Sequence, residues 1–271
     1  MADVEKNPHL LNWINVLQIQ VMDSGRASMG ENWHRENVRS PYSRLYYVLD
    51  GEGWATHDEV CQIYRPGHMY LIPIGYQHNY GCEENMDHLY FHINITMPSG
   101  YDLFSQCNQI YELPMTDVEK EEMLALYRRE DMGGALALTS CLYRDVTRFI
   151  AQANMAAKPA YAYSEMIQRI FPLVREHLTA HLTIAQLAET MSVSPSTLTK
   201  RFRAEIEMPL GHYIDHMLFQ RAQQLLLFTT MSIGEISDQL EFCDQFYFSR
   251  YFKQHQNETP SHYRKRMKGG S

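Results

Sequence analysis

TIAQLAETMSVSPSTLTKRFR, residues 183–203, and SIGEISDQLEFCDQFYFSRYFK, residues 232–253, are two versions of one pattern. Ile184 aligns with Ile233, which lies 49 positions later. The other matched apolar pairs are Leu187 with Ile236, Met191 with Leu240, Val193 with Phe242 and, after one inserted residue, Leu198 with Phe248 and Phe202 with Phe252. Matched spacing over both stretches indicates an internal duplication.

Both copies open with a sequence typical of a helix start. Thr183 is followed three residues later by Gln186, and Ser232 by Glu235. This is the spacing of a capping box, in which a hydroxyl and a side chain one turn later satisfy two backbone N–H groups. The apolar spacing that follows is helical.

Each copy then breaks for a few residues before a second helix, which starts at Ser194-Pro195 in the first copy and at Asp244 in the second. Ser and Asp favour the N-cap, and proline suits the first helical position. Two short helices joined by a tight turn form a helix-turn-helix, whose second helix lies in the DNA major groove. A pair of ordinary helical hairpins is the alternative, but the matched caps and core positions favour the DNA-binding unit.

The composition is that of a globular protein long enough for two domains, with 271 residues of which 45% are hydrophobic and 12% aromatic. No apolar run approaches the ~18 residues of a membrane span, and the N-terminus lacks the pattern of a secretory signal. The five cysteines include no C-x-x-C pair, which argues against a zinc site or a disulfide framework. We therefore expect a reduced, cytoplasmic protein.

Charge divides the chain into two unlike halves. The net charge is −8, but residues 164–271 hold 12 Lys/Arg against 11 Asp/Glu, whereas residues 1–163 hold 12 against 21. A nearly neutral half can bind DNA if its cations cluster, as Lys200, Arg201 and Arg203 do in sequence. Its non-specific affinity should be modest, because that affinity grows with the number of phosphates neutralised.

Short segments punctuated by Gly and Pro fill the first half. Ser43–Leu49 is rich in aromatic and β-branched residues and predicts a strand, after which Asp50–Gly53 supplies turn residues. Similar segments recur through HLYFHINI, residues 88–95. We expect an antiparallel jelly-roll sandwich or barrel here. With the helical second half, the fold class is α+β multidomain.

One segment of this half carries a specific motif. Gly67, Pro73, Gly75 and His78 follow the spacing G-x5-P-x-G-x2-H, which resembles the second motif of the cupin family. The resemblance implies a cupin-type barrel in which the Pro and Gly make a turn between strands and His78 points inward.

The metal ligands of the first cupin motif are missing. Counting back from Gly51 puts Arg44 at the position of the ligand Glu, and Ser40 and Val38 at the positions of the two ligand His. A catalytic metal needs about three protein ligands, so His78 alone cannot hold one. The resemblance therefore implies a barrel with no metal and no other cofactor.

A small-molecule site inside the barrel can be sketched. Arg44 and Tyr46 share one face of their strand, the face that carries the motif's ligand, and should point inward. The candidate effector-binding residues are Trp33, Arg44, Tyr46, His78, Tyr80, Phe91 and His92. Aromatic faces with one arginine suit a sugar or an organic acid. The alternative is that the aromatics are packed barrel residues and that His78 is satisfied by a neighbour.

Helical patterns begin at Thr116. The first helix, DVEKEEMLALYRRED, is expected to be broken at Met132-Gly133-Gly134 and followed by ALALTSCLYRDVTRFIAQANMA. That second helix has an apolar stripe, which packs on the barrel or pairs with a second subunit. The stripe consists of Leu138, Leu142, Val146, Phe149 and Ile150.

These patterns divide the chain into four parts. We expect an effector-binding barrel at 1–115, a helical segment for packing or dimerisation at 116–158, a linker at 159–163 and a DNA-binding domain at 164–271. The two helix-turn-helix units are expected at 183–205 and 232–255.

The second half closely resembles the AraC/XylS family of bacterial transcription regulators. The match is strongest over residues 232–264, through SIGEISDQLEF, DQFYFSRYFK and ETPSHYR, and the first unit matches through LAETMSVSPSTLTKRF. The departures are Glu207, Glu241 and Asn257 at family Gly positions, Ser237 at an Ala position and Phe246 at a Ser position. A residue with a side chain at a Gly position predicts a left-handed backbone under strain.

The resemblance also implies which residues face DNA. In the first recognition helix these are Ser196, Thr199, Lys200 and Arg203, and in the second they are Gln245, Phe246 and Arg250. Arginine reads guanine and glutamine reads adenine by paired hydrogen bonds, and Phe can contact a thymine methyl group. Two such helices on one rigid element would enter adjacent major grooves about 34 Å apart.

The predicted function is a ligand-responsive, sequence-specific transcription regulator, an activator or a repressor of a bacterial metabolic operon, and the family resemblance implies a carbohydrate operon. Its expected partners are promoter DNA, a small effector, a second copy of the chain and RNA polymerase. One alternative is a cupin enzyme with an appended helical module, which the missing ligands oppose. Another is an adaptor whose helix pairs bind protein.

Overall fold

The computed structural model describes residues 14, 17–97, 100–155 and 163–268. The described chain forms two compact units, one of residues 17–97 with 101–155 and the other of residues 163–268. Most of the expected linker at 159–163 lies outside the described residues. None of the described helices is both long and apolar enough to cross a bilayer.

Antiparallel strands build the first unit. Five of them pair in the order β1-β8-β3-β6-β9 and four in the order β2-β7-β4-β5. The strands are β1 (Gln18–Gly30), β2 (His34–Arg39), β3 (Ser43–Gly51), β4 (Gly53–His57), β5 (Val60–Tyr64), β6 (His68–Ile72), β7 (Gln77–Gly81), β8 (Asn85–Thr96) and β9 (Tyr111–Pro114). The strands β2 and β9 had no clear signal in the sequence.

The two sheets face each other across a shared core. On β3, Tyr46 and Val48 join this inner core, together with Tyr80 and Ala55 of the opposite sheet. Leu45 of β3 belongs to a different cluster on the outer face of the five-stranded sheet. The expected alternation of this strand is therefore confirmed, because successive side chains point to opposite faces.

Two helices cover that outer face, α1 (Asp117–Tyr127) and α2 (Met132–Gln152). The predicted stripe packs there, with Leu142, Val146 and Phe149 buried in the outer cluster. The expected break at Met132-Gly133-Gly134 is wrong. These residues begin α2, because the Asp131 side chain accepts the Gly134 N–H at 3.0 Å and caps the helix.

Helices alone form the second unit. They are α3 (Glu165–Glu176), α4 (Ile184–Thr190), α5 (Pro195–Ile206), α6 (Leu210–Phe228), α7 (Ile233–Gln239), α8 (Gln245–Gln256) and α9 (Pro260–Lys268). The prediction of an antiparallel β unit followed by an all-α unit is confirmed.

Candidate nucleic-acid interface and effector site

The first helix-turn-helix consists of α4, a short turn and α5. The predicted capping box is present, because the Thr183 hydroxyl accepts the Gln186 N–H and the Gln186 side chain accepts the Thr183 N–H. Ser192 closes the turn with a left-handed φ of 55°. Ser194 then caps α5, with Pro195 in its first turn.

The second unit repeats this construction in α7 and α8. Ser232 and Glu235 form the second capping box. Glu241 closes the turn with a φ of 56°, as expected for a residue at a Gly position. Asp244 caps α8 one residue later than the first unit's pattern, so the inserted residue of the alignment lies in this turn.

The duplication extends to a third helix in each unit. Phe202 of α5 packs on Tyr213 of α6 with ring centroids 5.2 Å apart, and Phe252 of α8 packs on Tyr263 of α9 at the same 5.2 Å. Tyr213 and Tyr263 are 50 positions apart, as are the two phenylalanines. The start of α6 and all of α9 thus correspond, so the duplication continues beyond residues 203 and 253.

Buried apolar residues fix which face of each recognition helix is free. Leu198 and Phe202 of α5 are buried, as are Phe248 and Phe252 of α8. In each pair the residues are four apart and therefore lie on one face. The opposite face of both helices is left to solvent.

The residues predicted to read DNA from α5 lie on its exposed face. Ser196, Lys200 and Arg203 are exposed. Thr199 is half-buried, and its hydroxyl donates to the Pro195 carbonyl at 2.8 Å. Thr199 therefore presents its methyl group and one oxygen rather than a free donor.

The second recognition helix is more aromatic. Gln245, Phe246 and Arg250 are exposed, and Phe246 is 67% exposed. The Arg250 guanidinium lies 5.7 Å from the centre of the Tyr247 ring, which is also exposed. A large aromatic side chain in solvent at the start of such a helix has no packing role, which suits contact with a base.

A polar cluster ties α8 to α6. The Tyr251 hydroxyl donates to the Asp215 carboxylate at 3.0 Å, and His255 Nε2 lies 2.8 Å from the other Asp215 oxygen. His255 also stacks on Phe219 at 4.9 Å. These contacts hold the second recognition helix against the long helix that joins the two units.

In the β unit, Arg44 lies inside the sandwich and is 7% exposed. Its Nε donates to Ser40 Oγ at 3.1 Å and its Nη1 to the Tyr46 hydroxyl at 3.0 Å. The rings of Tyr42 and Tyr80 lie 5.5 and 5.3 Å from its guanidinium carbon. These are distances of cation–π contact.

Three histidines share this interior. Burial, and then the charge of Arg44, lower the pKa of His78 to about 4, and burial lowers the pKa of His88 to about 4. Burial also holds the pKa of His92 well below its usual range. All three are therefore neutral at pH 7. Within residues 17–97, 100–155 and 163–268, no group of three or more His, Cys, Asp and Glu could hold a metal ion.

Most of the predicted effector residues lie in this interior. Trp33 packs on Tyr80 at 4.8 Å and on His88 at 5.6 Å. Phe91 is an incorrect prediction, because it lies on the outer face and packs edge-on against Tyr47 at 5.9 Å. His92, the next residue on β8, points to the inner face, because successive side chains of a strand point to opposite faces.

The sequence interpretation missed three inner residues. They are Tyr42, Tyr64 and His88. His88 had a usable signal, since it lies four residues before His92 on the same strand face. Tyr42 and Tyr64 had none, because one precedes its strand and the other ends a strand of the opposite sheet.

Two helix-turn-helix units on one connecting helix, joined in one chain to a β-sandwich, define a DNA-binding transcription regulator. Residues 187–266 match the family model described as a helix-turn-helix domain. The homologues that match most of the chain are operon regulators of the AraC family, and the chain is similar to them over more than four fifths of its length.

The arabinose operon regulatory protein of Salmonella typhimurium is 24% identical over 244 residues, which cover 84% of this chain and 86% of that protein. The Msm operon regulatory protein of Streptococcus mutans is 24% identical, covering 82% of this chain and 84% of that protein. A solved structure of ToxT from Vibrio cholerae has a TM-score of 0.52 at 14% identity, covering 93% of this chain and 98% of that one. The likeness to ToxT concerns the fold alone.

Proposed function

We propose that this regulator controls a carbohydrate operon in response to a small molecule bound inside the β-sandwich. The two exposed recognition helices carry the proposal, because both are capped and packed on one connecting helix with their polar faces in solvent. Relatives that match most of the chain are regulatory proteins of the arabinose, Msm and raffinose operons, which supports a sugar response. The proposal assigns no catalytic step to any residue.

Base reading would come mainly from the start of each recognition helix. In α8, Arg250 suits guanine, Gln245 suits adenine and Phe246 suits a thymine methyl group. In α5, Lys200 and Arg203 suit phosphates, which fix register but carry no sequence information. Two unlike recognition faces predict two unlike half-sites.

Regulation requires the effector to bind two states of the protein with different affinity. We assign the effector to the inner face around Arg44 and propose that its binding changes how the helix-turn-helix units or a second copy of the chain engage DNA. Pairing with a second copy and contact with RNA polymerase would follow on the promoter, in the cytoplasm. The partly aromatic, partly polar lining of the interior supports a ligand of this kind.

The experiment is a DNA-binding titration of the full chain at a stated salt concentration, using the DNA upstream of neighbouring sugar-utilisation genes. Arg250→Ala should weaken specific binding by about 1–3 kcal/mol and relax preference at one base pair. Arg175→Ala is the matched control, because Arg175 is an exposed arginine of the same unit that belongs to α3 and to neither recognition helix. Unchanged binding and footprint for Arg250→Ala would contradict the proposed reading.

A further inference from the structure

The interior of the β-sandwich buries a positive charge that no acidic residue balances. Arg44 is 7% exposed, and within the described residues it has no ion pair with any Asp or Glu. The carboxylate of Asp23 lies 3.6 Å from His92 Nδ1 and is not within ion-pair distance of Arg44. A buried charge without a counter-charge is unfavourable unless something else pairs with it.

Among the residues that the structure describes, the hydrogen bonds of Arg44 also leave part of the guanidinium without an acceptor. Arginine carries five N–H donors, and Arg44 uses Nε toward Ser40 and Nη1 toward Tyr46. The Tyr42 and Tyr80 rings flank the guanidinium and hold it in place without contributing a negative charge. The donors that remain are those of Nη2 and the second N–H of Nη1, and a carboxylate is an acceptor with which a guanidinium forms strong, charge-assisted hydrogen bonds.

The three buried histidines of this interior add no second positive charge. His78, His88 and His92 lie on the inner face, and all three are neutral at pH 7 because burial lowers their pKa. Arg44 thus contributes a single positive charge, which one monoanion neutralises. A phosphate dianion would leave a net negative charge in the interior, and a neutral molecule would leave the positive charge of Arg44 unbalanced.

A second group nearby lacks a partner. The Tyr64 hydroxyl is fully buried and has no hydrogen-bond partner among the described residues. The Tyr64 ring packs edge-on against Tyr46 at 5.9 Å, and Tyr46 in turn bonds to Arg44. A buried hydroxyl without a partner is a rare feature that calls for a functional reason.

We infer that the effector is a sugar acid, a carbohydrate with one carboxylate that pairs with Arg44 and with a hydroxyl that bonds to Tyr64. The inference rests on the proposed function and names the ligand class of the same site. The aromatic rings of Trp33 and Tyr80, which pack together at 4.8 Å, supply the apolar surface on which the C–H face of a sugar ring can stack.

Calorimetric titration of the full chain tests the ligand class. The panel pairs glucuronate and galacturonate, with the matching aldonates, against glucose and galactose as neutral parents, and includes glucose 6-phosphate. A sugar acid should bind about 10- to 100-fold more tightly than its neutral parent, the range of a charge-assisted hydrogen bond. Equal or tighter binding of the neutral parent, preference for the phosphate, or no binding of any acid overturns the inference.

Two variants separate ligand binding from a structural role. Arg44→Met removes the buried charge and keeps the side-chain length, so the ligand-free protein should unfold at the same or a higher temperature, while acid affinity falls at least about 10-fold. Tyr64→Phe should likewise retain stability and lose about 5- to 10-fold in acid affinity. Two results together would show that Arg44 and Tyr64 are structural. Arg44→Met would unfold at a lower temperature than the wild type, and a variant that folds would bind the acid as tightly as the wild type.

The DNA titration distinguishes failure of the inference from failure of the proposed function. If a neutral sugar changes the DNA affinity and the sugar acids do not, the proposed function as a regulator is retained and the sugar-acid assignment is overturned. A chain that binds the acid through Arg44 but binds no upstream DNA retains the assignment and contradicts the proposed function.

Discussion

At the scale of single residues, Ser237 and Ala188 occupy the same position of the two repeated units, 49 positions apart. Ser237 is completely buried and Ala188 is 1% exposed. The Ser237 hydroxyl has no hydrogen-bond partner among the described residues. A buried donor left unsatisfied costs stability, so Ser237 is a built-in weakness of the second unit.

Ser237→Ala should therefore stabilise the helical unit by about 1 kcal/mol. The converse change in the first unit, Ala188→Ser, should destabilise it by about 1–3 kcal/mol for the same reason. Urea unfolding followed by far-ultraviolet circular dichroism measures both. A loss of stability in Ser237→Ala would mean that the hydroxyl has a partner that the structure does not record.

Single residues also show where prediction of the inner face from the sequence succeeded. The alternation of β3 placed Arg44 and Tyr46 inside correctly, because one strand with a period of two has only one inner face. The identical rule on β8, where His88 and His92 are inside, excludes Phe91. An aromatic ring suits a sugar site, but the register of Phe91 on β8 turns it to the outer face.

At the scale of elements, the tight turn of the second helix-turn-helix forces a glutamate into a left-handed backbone. Glu241 has a φ of 56° and is exposed, and within the described part of the chain its carboxylate forms no hydrogen bond or ion pair that would offset this conformation. Glu241→Gly should raise the stability of the unit by about 1 kcal/mol, because a Cβ atom makes the left-handed backbone conformation unfavourable, whereas glycine adopts it readily.

Thermal unfolding of Glu241→Gly beside Glu241→Ala measures this effect. The alanine variant is the matched control, since it removes the charge and keeps the Cβ atom, and it should not reproduce the gain. Equal stabilisation by both changes would assign the effect to charge and not to backbone strain.

Element boundaries were predictable where a cap stood next to a periodic pattern. Thr183 and Ser232 each form the capping box expected of them, and Thr116, where a helix was expected to begin, forms a third. The start of α2 was not, because two glycines normally disfavour a helix. There the Asp131 carboxylate bonds to Arg129 and to the Gly134 N–H, and these bonds lower its pKa to about 2 and fix the first turn.

At the scale of the whole molecule, stability should depend on pH through the buried histidines of the β-sandwich. His78 has a folded pKa of about 4, below the ordinary 6.5. Between those values the unfolded chain takes up a proton that the folded chain does not, so stability is complete above pH 6.5 and falls as the pH drops toward 4. His78 alone contributes about 3 kcal/mol to this loss.

The fluorescence of Trp33, which packs in the same core, reports urea unfolding of this unit across that pH range. His78→Gln should flatten the pH dependence, whereas His177→Gln, at an exposed position of the helical unit, should leave it unchanged. An identical slope in wild type and His78→Gln would show that His78 titrates normally in the folded protein.

The extra residue in the turn before α8 has a consequence for the target. The two recognition helices follow each other along the chain, begin differently and present unlike side chains. Reversing the orientation of the protein on a duplex would therefore place each recognition helix on the half-site of the other. The operator must accordingly be asymmetric, and each bound monomer has one fixed orientation relative to the start of the gene.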